Sequence, residues 1–507
     1  MRATRVWAAP AAVASALVVS LAAYVPVVSS GHISRDSGVF LYTGMVVSRG
    51  GMPYVDSWDH KGPLLAALEA MAWRLGGGIL GAPLLEALVL FVGLAVAGVL
   101  WARWIGGWAS VAVVVLGLSY LAVFEGGNFT ETWLFPVQLV AYSAAAHTAL
   151  TYGRDAPARV IALLGAVIGL AVSVALFTRV NNAAGLLALA VVGVVVLRRR
   201  LLFAAAVVGV VAVVGGSLTL WLLAGHAFRA AIEQYVRYNL FYAGGATLNE
   251  RIDGFAALAQ LLLSSSVVLA AMGVLGGWLV GVLRAESLPR GEVFAVVLFA
   301  GLGIVDTLSQ VASGRPYPHY LIVALPSIAV AAVIASARVV RAARGVRTPG
   351  TRRLRLVAII VAFAVTVAGS AATAAQGMRW TSESGVFVAG SYQAQIVDRV
   401  EAETTPDDRV LVHGAETWIL AASGRFSPTS ITYSLPVEQG FGGLAAQYLA
   451  EIEAVPPVLI VESPTVCGIS TACAPSSSHF DGLAPWVAAS YDLEGDIAGF
   501  RFWRRHG

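Results

Sequence analysis

The sequence predicts a polytopic α-helical membrane protein with a small α/β domain at its C-terminal end. Of the 507 residues, 58% are hydrophobic and only 12% are charged, whereas soluble domains carry roughly 25% charged residues. The hydrophobic residues are gathered into blocks of about 20 residues, the length that an α-helix needs to cross ~30 Å of hydrocarbon. This composition excludes a soluble globular enzyme. The formal net charge of +4 gives no indication of nucleic-acid binding.

About eleven transmembrane helices are predicted when the apolar blocks are taken in order. The sixth block is short and the eighth is long. The blocks cover residues 7–29, 82–102, 107–124, 132–151, 159–177, 183–197, 201–224, 255–283, 292–310, 320–337 and 356–376. The chain therefore divides into a transmembrane domain over 1–376 and a second domain over 377–507.

The basic residues predict the orientation of the chain. With the N-terminus in the cytoplasm, the inner segments are short and rich in arginine, whereas the outer cations are spread over much longer segments. The positive-inside rule thus predicts a multi-pass protein of the cell membrane with residues 30–81 and the C-terminal domain outside. A cleaved signal peptide is the alternative for the first block, because Arg2 and Arg5 precede it.

The second domain has the pattern of a small α/β fold. Two apolar segments, 409–414 and 456–463, are typical of buried strands, and 444–455 between them has helical spacing. The alternating segment 499–505 predicts a further strand. We therefore expect an extracytoplasmic α/β domain packed on the outer membrane face.

The two cysteines, Cys467 and Cys473, both fall in this domain. In an oxidising compartment their local spacing predicts a disulfide. Metal binding or a reactive thiol is the alternative, for which the segment offers only His479 as a further partner.

Titratable side chains are concentrated in residues 30–81, which we call the first long loop. They include Asp36, Asp56, Asp59, His60 and Lys61. Lys61 is the single lysine among 33 basic residues, which suggests a requirement for a compact ammonium group rather than a guanidinium fork. The segments 39–48 and 63–75 are apolar enough to form interfacial helices that hold these groups between them. A solvated loop that merely carries charges is the alternative interpretation.

Six short motifs, in order along the chain, resemble those of bacterial GT-C glycosyltransferases. They are GVFLY at 38–42, GGMPY at 50–54, WDHKGPL at 58–64, GNFTE at 127–131, TRVNN at 178–182 and GRPYPHY at 314–320. The resemblance is to the branch that includes protein O-mannosyltransferases and the aminoarabinose transferases of lipid A. These proteins usually have Lys-Pro-Pro where this chain has Lys61-Gly62-Pro63, so neither sugar is carried over to this chain.

The resemblance implies an integral membrane hexosyl- or pentosyltransferase of cell-envelope biogenesis. Such an enzyme moves a sugar from a polyprenyl-phosphate carrier to a glycan, lipid or protein acceptor outside the membrane and inverts the anomeric carbon. Asp36 has the family position of the general base for the acceptor hydroxyl, and Asp59 is the rival base. Cations stabilise the charge that develops on the leaving phosphate. The outward-facing candidates are Lys61, Arg179 and Arg315, with His60 and His319 as further donors.

The resemblance also implies that Glu131 orients the acceptor or the sugar. No cofactor is certain, and a divalent cation held by Glu131 and Asp36 is an open alternative. A second alternative is that the Glu131 carboxylate only interacts favourably with a helix dipole. For Arg179 and Arg315 the alternative role is interfacial anchoring, and for tyrosines such as Tyr238 it is an aromatic belt. The remaining candidate substrate-binding residues are Asn128, Asn182, Tyr238 and Tyr320.

A different class of protein also fits part of this pattern. Buried polar residues such as Arg179 and Asp306 occur in transporters and flippases, which carry a lipid-linked sugar without transferring it. A non-catalytic scaffold of envelope assembly is a third alternative. The large outer domain and the acids clustered in one loop favour an enzyme.

Overall fold

The computed structural model describes residues 7–264, 266–283, 290–311, 314–344, 368–369, 371–464, 469 and 483–506. Within these ranges the chain is mainly helical and ends in one four-stranded sheet. The helices up to residue 224 are α1 (Ala8–Ser30), α2 (Arg35–Ser48), α3 (Pro63–Gly76), α4 (Gly81–Ile105), α5 (Trp108–Leu121), α6 (Thr130–Tyr152), α7 (Ala158–Thr178), α8 (Ala184–Val196) and α9 (Arg200–Ala224).

After α9 come two short helices and a π-helical turn, followed by longer helices. They are α10 (Phe228–Ala231), a π-helical turn Ile232–Arg237, α11 (Tyr238–Gly244), α12 (Leu248–Ser264), α13 (Ser266–Leu283), α14 (Arg290–Gln310), α15 (Leu325–Arg344) and α16, described over 371–383. Within the described ranges, 3-10 turns link helices at Gly153–Asp155, Val180–Ala183 and Pro318–Ala324.

Six helices in the described ranges are long and apolar enough to cross a membrane. They span Ala8–Ser30, Gly81–Ile105, Ala158–Thr178, Arg200–Ala224, Arg290–Gln310 and Pro318–Arg338. Over the third and sixth predicted spans, α5 and α8 have only 14 and 13 residues. The long eighth block is divided between α12 and α13, and the eleventh lies mostly outside the described residues.

The long helices pack into one bundle with a common hydrophobic core. In this bundle α1 contacts α4 and α5, and α7 contacts α6 and α9. Large side chains such as Trp101 and Phe135 are fully buried between them. One end of the bundle carries the first long loop.

The first long loop forms the two predicted helices, but α2 begins earlier than predicted. The side chain of Ser34 caps this helix by accepting a hydrogen bond from the Ser37 N–H at 3.3 Å. Asp36 therefore lies in the first turn of α2, and the prediction of a loop position was wrong. Its carboxylate suits the positive end of the helix dipole there.

The C-terminal domain confirms the predicted strands and adds one. Its sheet has the order β1-β2-β4-β3, with β1 and β2 parallel and the other pairs antiparallel. The strands are β1 (Val410–His413), β2 (Leu459–Glu462), β3 (Tyr491–Ile497) and β4 (Phe500–Arg505), and the helices are α17 (Tyr392–Glu403), α18 (Trp418–Ser423), α19 (Leu435–Glu438), α20 (Leu444–Ala454) and α21 (Leu483–Ser490). The sequence missed β3 because this edge strand is polar and mostly exposed.

The first long loop and the C-terminal domain share a second hydrophobic core. Phe40 and Met45 of α2 are buried in one cluster with Trp418 and Ile419 of α18. Gly38 permits this contact, because a Cβ there would lie 2.4 Å from the backbone nitrogen of Trp418. The C-terminal domain is therefore packed directly on the loop that carries the candidate site.

Candidate active site

The Asp59-His60-Lys61 segment, between α2 and α3, is held by hydrogen bonds along its backbone. The Asp59 N–H donates to Oε1 of Gln234 at 3.0 Å, and Nδ2 of Asn239 donates to the carbonyl of His60 at 2.7 Å. The hydroxyl of Tyr54 donates to the carbonyl of Lys61 at 2.6 Å. The segment is thus fixed from both the loop and the helices after α9.

A chain of hydrogen bonds joins Lys61 to the C-terminal domain. Nζ of Lys61 lies 3.0 Å from Nε2 of His60, and Nδ1 of His60 lies 2.7 Å from the hydroxyl of Tyr433. Burial, followed by the charges of Lys61 and Arg179, lowers the pKa of His60 well below its usual range. The neutral imidazole accepts a hydrogen bond from the Lys61 ammonium and donates one to Tyr433. This chain sets the direction of the only ammonium side chain in the protein.

The two candidate bases of the loop have different surroundings. Asp59 is 6% exposed, and its Oδ1 accepts a hydrogen bond from the Lys61 N–H at 3.2 Å. Burial raises the pKa of Asp59 to about 6. Asp36 is partly exposed, and its side chain makes no hydrogen bond to the described part of the chain. Asp36 interacts electrostatically with Lys61 and Asp59, so it belongs to the same site with its lone pairs unoccupied.

The structure explains why glycine follows Lys61. The Gly62 N–H donates to the carbonyl of Thr178 at 2.8 Å, which a proline could not do. A Cβ at this position would lie 2.2 Å from the carbonyl oxygen of Phe177. The end of α7 therefore contacts the backbone of the site directly, and only glycine fits between them.

Replacement of Gly62 by alanine is expected to lower stability by about 1–3 kcal/mol, because the Cβ meets backbone atoms that cannot move aside. The same strain displaces Lys61 and lowers any turnover that depends on it. The thermal unfolding midpoint of the purified protein measures the first effect. Gly216→Ala is the matched control, since no atom lies within 4 Å of a Cβ at that helical position. An equal midpoint for both variants would contradict the close contact.

Glu131 and Arg179 form a buried ion pair at the same end of the bundle. Oε1 of Glu131 lies 2.5 Å from Nη1 of Arg179, and the side chains are 1% and 13% exposed. The guanidinium lies over the ring of Tyr320 at 4.2 Å, and Nδ2 of Asn182 lies 3.4 Å from Glu131. Four predicted site residues are therefore in one cluster. Arg179 is paired and enclosed, which excludes simple interfacial anchoring.

Replacement of Glu131 by glutamine is expected to lower the free energy of unfolding by about 3 kcal/mol, because a buried guanidinium loses its counter-charge. Thermal or denaturant unfolding in detergent measures this loss. Glu233→Gln is the control, since its pair with Arg237 is largely exposed and lies within one helical turn. We expect that change to have an effect of about 0.5 kcal/mol or less. Equal effects of the two substitutions would contradict a structural role for the buried pair.

His319 is also brought to this end of the bundle. Its Nδ1 lies 2.7 Å from Oε2 of Glu125, and its ring stacks on Phe129 at 4.1 Å. Arg315 is exposed and faces Tyr242 and Glu250, so it lies at the rim of the site. The two residues of the last motif thus occupy different environments.

The side chains of two predicted substrate-binding residues are occupied by contacts within the protein. Asn128 donates to Oγ of Ser37 and accepts from Nε1 of Trp133, both at 3.0 Å. The buried hydroxyl of Tyr238 donates to Gln439 at 2.7 Å. Asn128 therefore holds α2 next to Asp36, and Tyr238 packs inside the protein rather than in an aromatic belt.

The described side chains include no group of three His, Cys, Asp or Glu residues able to hold a metal ion. The carboxylate of Glu131 is already bound to Arg179 and accepts from Thr130. Both of its oxygens therefore have partners within the protein. Cys467 and Cys473 lie outside the described residues.

The sequence analysis did not select Tyr433, Gln234 or Glu86. Tyr433 lies 373 residues after His60 along the chain. Glu86 is buried in α4, where it accepts hydrogen bonds from the Asn128 N–H at 2.8 Å and from Thr132. An isolated acid in an apolar block was the one available signal for Glu86, because such residues in membrane helices are paired or functional.

The fold of this chain is the one seen in solved structures of a GT-C aminoarabinose transferase. It is similar to ArnT from Cupriavidus metallidurans, a GT-C aminoarabinose transferase, in two crystal structures. The structure bound to undecaprenyl phosphate has a TM-score of 0.59, and the apo structure has one of 0.57. In both, sequence identity is 16%, and the match covers 97% of this chain and 96% of ArnT. No family model and no curated protein matches the sequence.

Proposed function

We propose that the protein is a membrane glycosyltransferase that moves a sugar from a polyprenyl-phosphate carrier to a cell-envelope acceptor. The observation that carries the proposal is that a carboxylate without a hydrogen bond to the described residues, Asp36, lies within electrostatic range of a positioned ammonium group, Lys61. The likeness of the whole fold to a protein that binds undecaprenyl phosphate supports the carrier. The experiment below identifies the sugar that is transferred.

The proposed reaction is a single displacement at the anomeric carbon. The acceptor oxygen forms a bond to this carbon as the bond to the phosphate oxygen breaks, so the configuration is inverted. The carboxylate of Asp36 takes the proton of the acceptor hydroxyl. The phosphate leaves with an additional negative charge, which the Lys61 ammonium stabilises without donating a proton.

His60 and Tyr433 are positioning residues in this mechanism. The neutral imidazole binds one hydrogen of the ammonium at 3.0 Å and leaves the others for the phosphate. Glu131 neutralises Arg179, which leaves the Lys61 ammonium as the cation that would meet the phosphate of the carrier. A preorganised charge of this kind acts most strongly where water is excluded.

The test uses membranes from cells in which the gene is deleted, because these contain both the native donor and the native acceptor. Addition of the purified protein should release free polyprenyl phosphate, and mass spectrometry identifies the sugar that is lost. The Asp36→Asn variant is the matched control. Redistribution of the lipid-linked sugar between leaflets without release of polyprenyl phosphate would overturn the proposal in favour of a transporter.

We also propose that the N-terminus is cytoplasmic and that the site faces the outside, as the arginine distribution predicts. Alkaline phosphatase fused after Arg103 should be inactive, because it remains in the cytoplasm. The same reporter fused after Gly507 should be active. The opposite result at either fusion would contradict this topology and the access of the site to an outer acceptor.

A further inference from the structure

A cleft of about 680 Å³ lies between the first long loop and the C-terminal domain. One wall is the end of α2 and the segment after it, including Tyr42, Arg49 and Asp56. The other wall includes Arg409, Phe426, Ser430 and Glu451. The volume is within the range of sites for small ligands, roughly 300–1,000 Å³. The residues of the proposed reaction do not line this cleft.

Two arginines are fixed in the cleft by the same aromatic ring. The guanidinium carbons of Arg49 and Arg409 lie 5.1 Å and 5.3 Å from the centroid of Phe426. Each guanidinium has five N–H donors. In the described part of the chain, Arg49 donates only to the carbonyl of Gly424 and Arg409 only to that of Ser427, both at 3.5 Å. Most of their donors therefore remain available to a ligand.

The acids of the cleft are already bound. Oδ2 of Asp56 accepts from the Met52 N–H at 2.7 Å. Glu451 accepts from the hydroxyl of Thr429 and the N–H of Ser430, both at 2.7 Å. The two guanidinium groups therefore hold most of the free N–H donors among the charged side chains that line the cleft, and these donors suit the planar oxygens of a carboxylate or phosphate.

Each wall of the cleft includes a residue from, or bonded to, an element that carries part of the candidate active site. Tyr42 lines it and is six residues from Asp36 in α2, a rise of about 9 Å. Ser430 accepts a hydrogen bond from the Trp58 N–H at 2.7 Å, and Trp58 directly precedes Asp59. A molecule in the cleft therefore lies beside the two elements that carry Asp36 and Asp59.

We propose that this cleft binds the acceptor through an oxyanion, a uronic-acid carboxylate or a sugar phosphate, at a position away from the reacting hydroxyl. This inference rests on the proposed function, because it assigns the substrate class of the same site. Arg49 and Arg409 are the specificity-determining residues, and Phe426 holds their guanidinium planes in place. An acceptor with the same hydroxyl but no charge would bind weakly.

The test measures binding of labelled trigalacturonate to the full chain in lipid nanodiscs. Maltotriose is the uncharged probe of equal length, and mannose 6-phosphate is the competitor that distinguishes phosphate from carboxylate. We expect the wild type to bind trigalacturonate or mannose 6-phosphate at least tenfold more tightly than maltotriose, and more weakly as salt is added. The double variant Arg49→Gln/Arg409→Gln should lose this difference.

Arg229→Gln is the matched control, because Arg229 is an exposed arginine outside the cleft. It should bind the charged probes as the wild type does. Similar binding by the double variant and the wild type, equal binding of maltotriose, or no binding of either charged probe would overturn the inference. Binding of undecaprenyl phosphate is measured on the same samples. Its failure would count against the proposed function alone, because the cleft arginines do not contribute to carrier binding.

Discussion

Replacement of Asp36 by asparagine is expected to lower sugar transfer by about 10²–10⁴-fold, the usual contribution of a general base. Asparagine keeps the size and the hydrogen-bonding shape of the side chain but cannot take the acceptor proton. Release of polyprenyl phosphate from the deletion membranes measures the loss. Binding of undecaprenyl phosphate should change little, because the carboxylate acts on the acceptor.

Asp59→Asn is the decisive comparison for this prediction. Asp59 is buried and already accepts a hydrogen bond from the backbone of Lys61, so its replacement should disturb the loop more than the proton transfer. The unfolding midpoint of Asp36→Asn should stay near that of the wild type, since a first-turn carboxylate contributes only about 0.3–1 kcal/mol. If Asp59→Asn abolished transfer and Asp36→Asn retained most of it, the assignment of the base would be wrong.

Replacement of Lys61 by alanine is expected to lower turnover by about 10²–10³-fold, because one preorganised charge at the leaving phosphate is removed. Binding of undecaprenyl phosphate should weaken as well, since the same ammonium contacts the phosphate before and after transfer. Lys61→Arg keeps the charge but places a larger planar group beside His60, so most activity should still be lost.

Steady-state kinetics of both variants, with carrier binding measured separately, test the role of Lys61. A smaller loss of binding in Lys61→Arg than in Lys61→Ala is expected, because the arginine retains the charge. Unchanged turnover in Lys61→Ala would remove this residue from the site. Equal unfolding midpoints are the necessary control, as His60 loses a hydrogen-bond partner in both variants.

The helices and most strands could be predicted because their signals are local. Apolar blocks and the strand and helix patterns of the C-terminal domain are each read from a short stretch of chain. The start of α2 was missed because Arg35 and Asp36 are polar, and the cap that fixes the helix there is a single hydroxyl. The edge strand β3 was missed because acidic residues separate its apolar ones and most of its residues are exposed.

The site was predictable only in part, because half of it is built from contacts distant in sequence. The ammonium and the carboxylates could be found from the rarity of lysine and from motifs in the loop. The partner of His60 could not, since nothing around Tyr433 differs from an ordinary buried tyrosine. Likewise, the sequence shows the glycine after Lys61 only as a departure from a motif. The structure explains it by the adjacent carbonyl of Phe177.

The shared core of the first long loop and the C-terminal domain has a consequence for biosynthesis. The ribosome adds about 5–20 residues per second, so the 373 residues between His60 and Tyr433 take about 20–75 s to make. During this interval Phe40 and Met45 have no partner from α18, and the hydrogen-bond chain to Lys61 is incomplete. A nascent or prematurely terminated chain can therefore be inserted in the membrane yet lack the assembled site. The site can therefore assemble only after the C-terminal domain has been synthesised. A partner that shields α2 until then would protect the chain from aggregation.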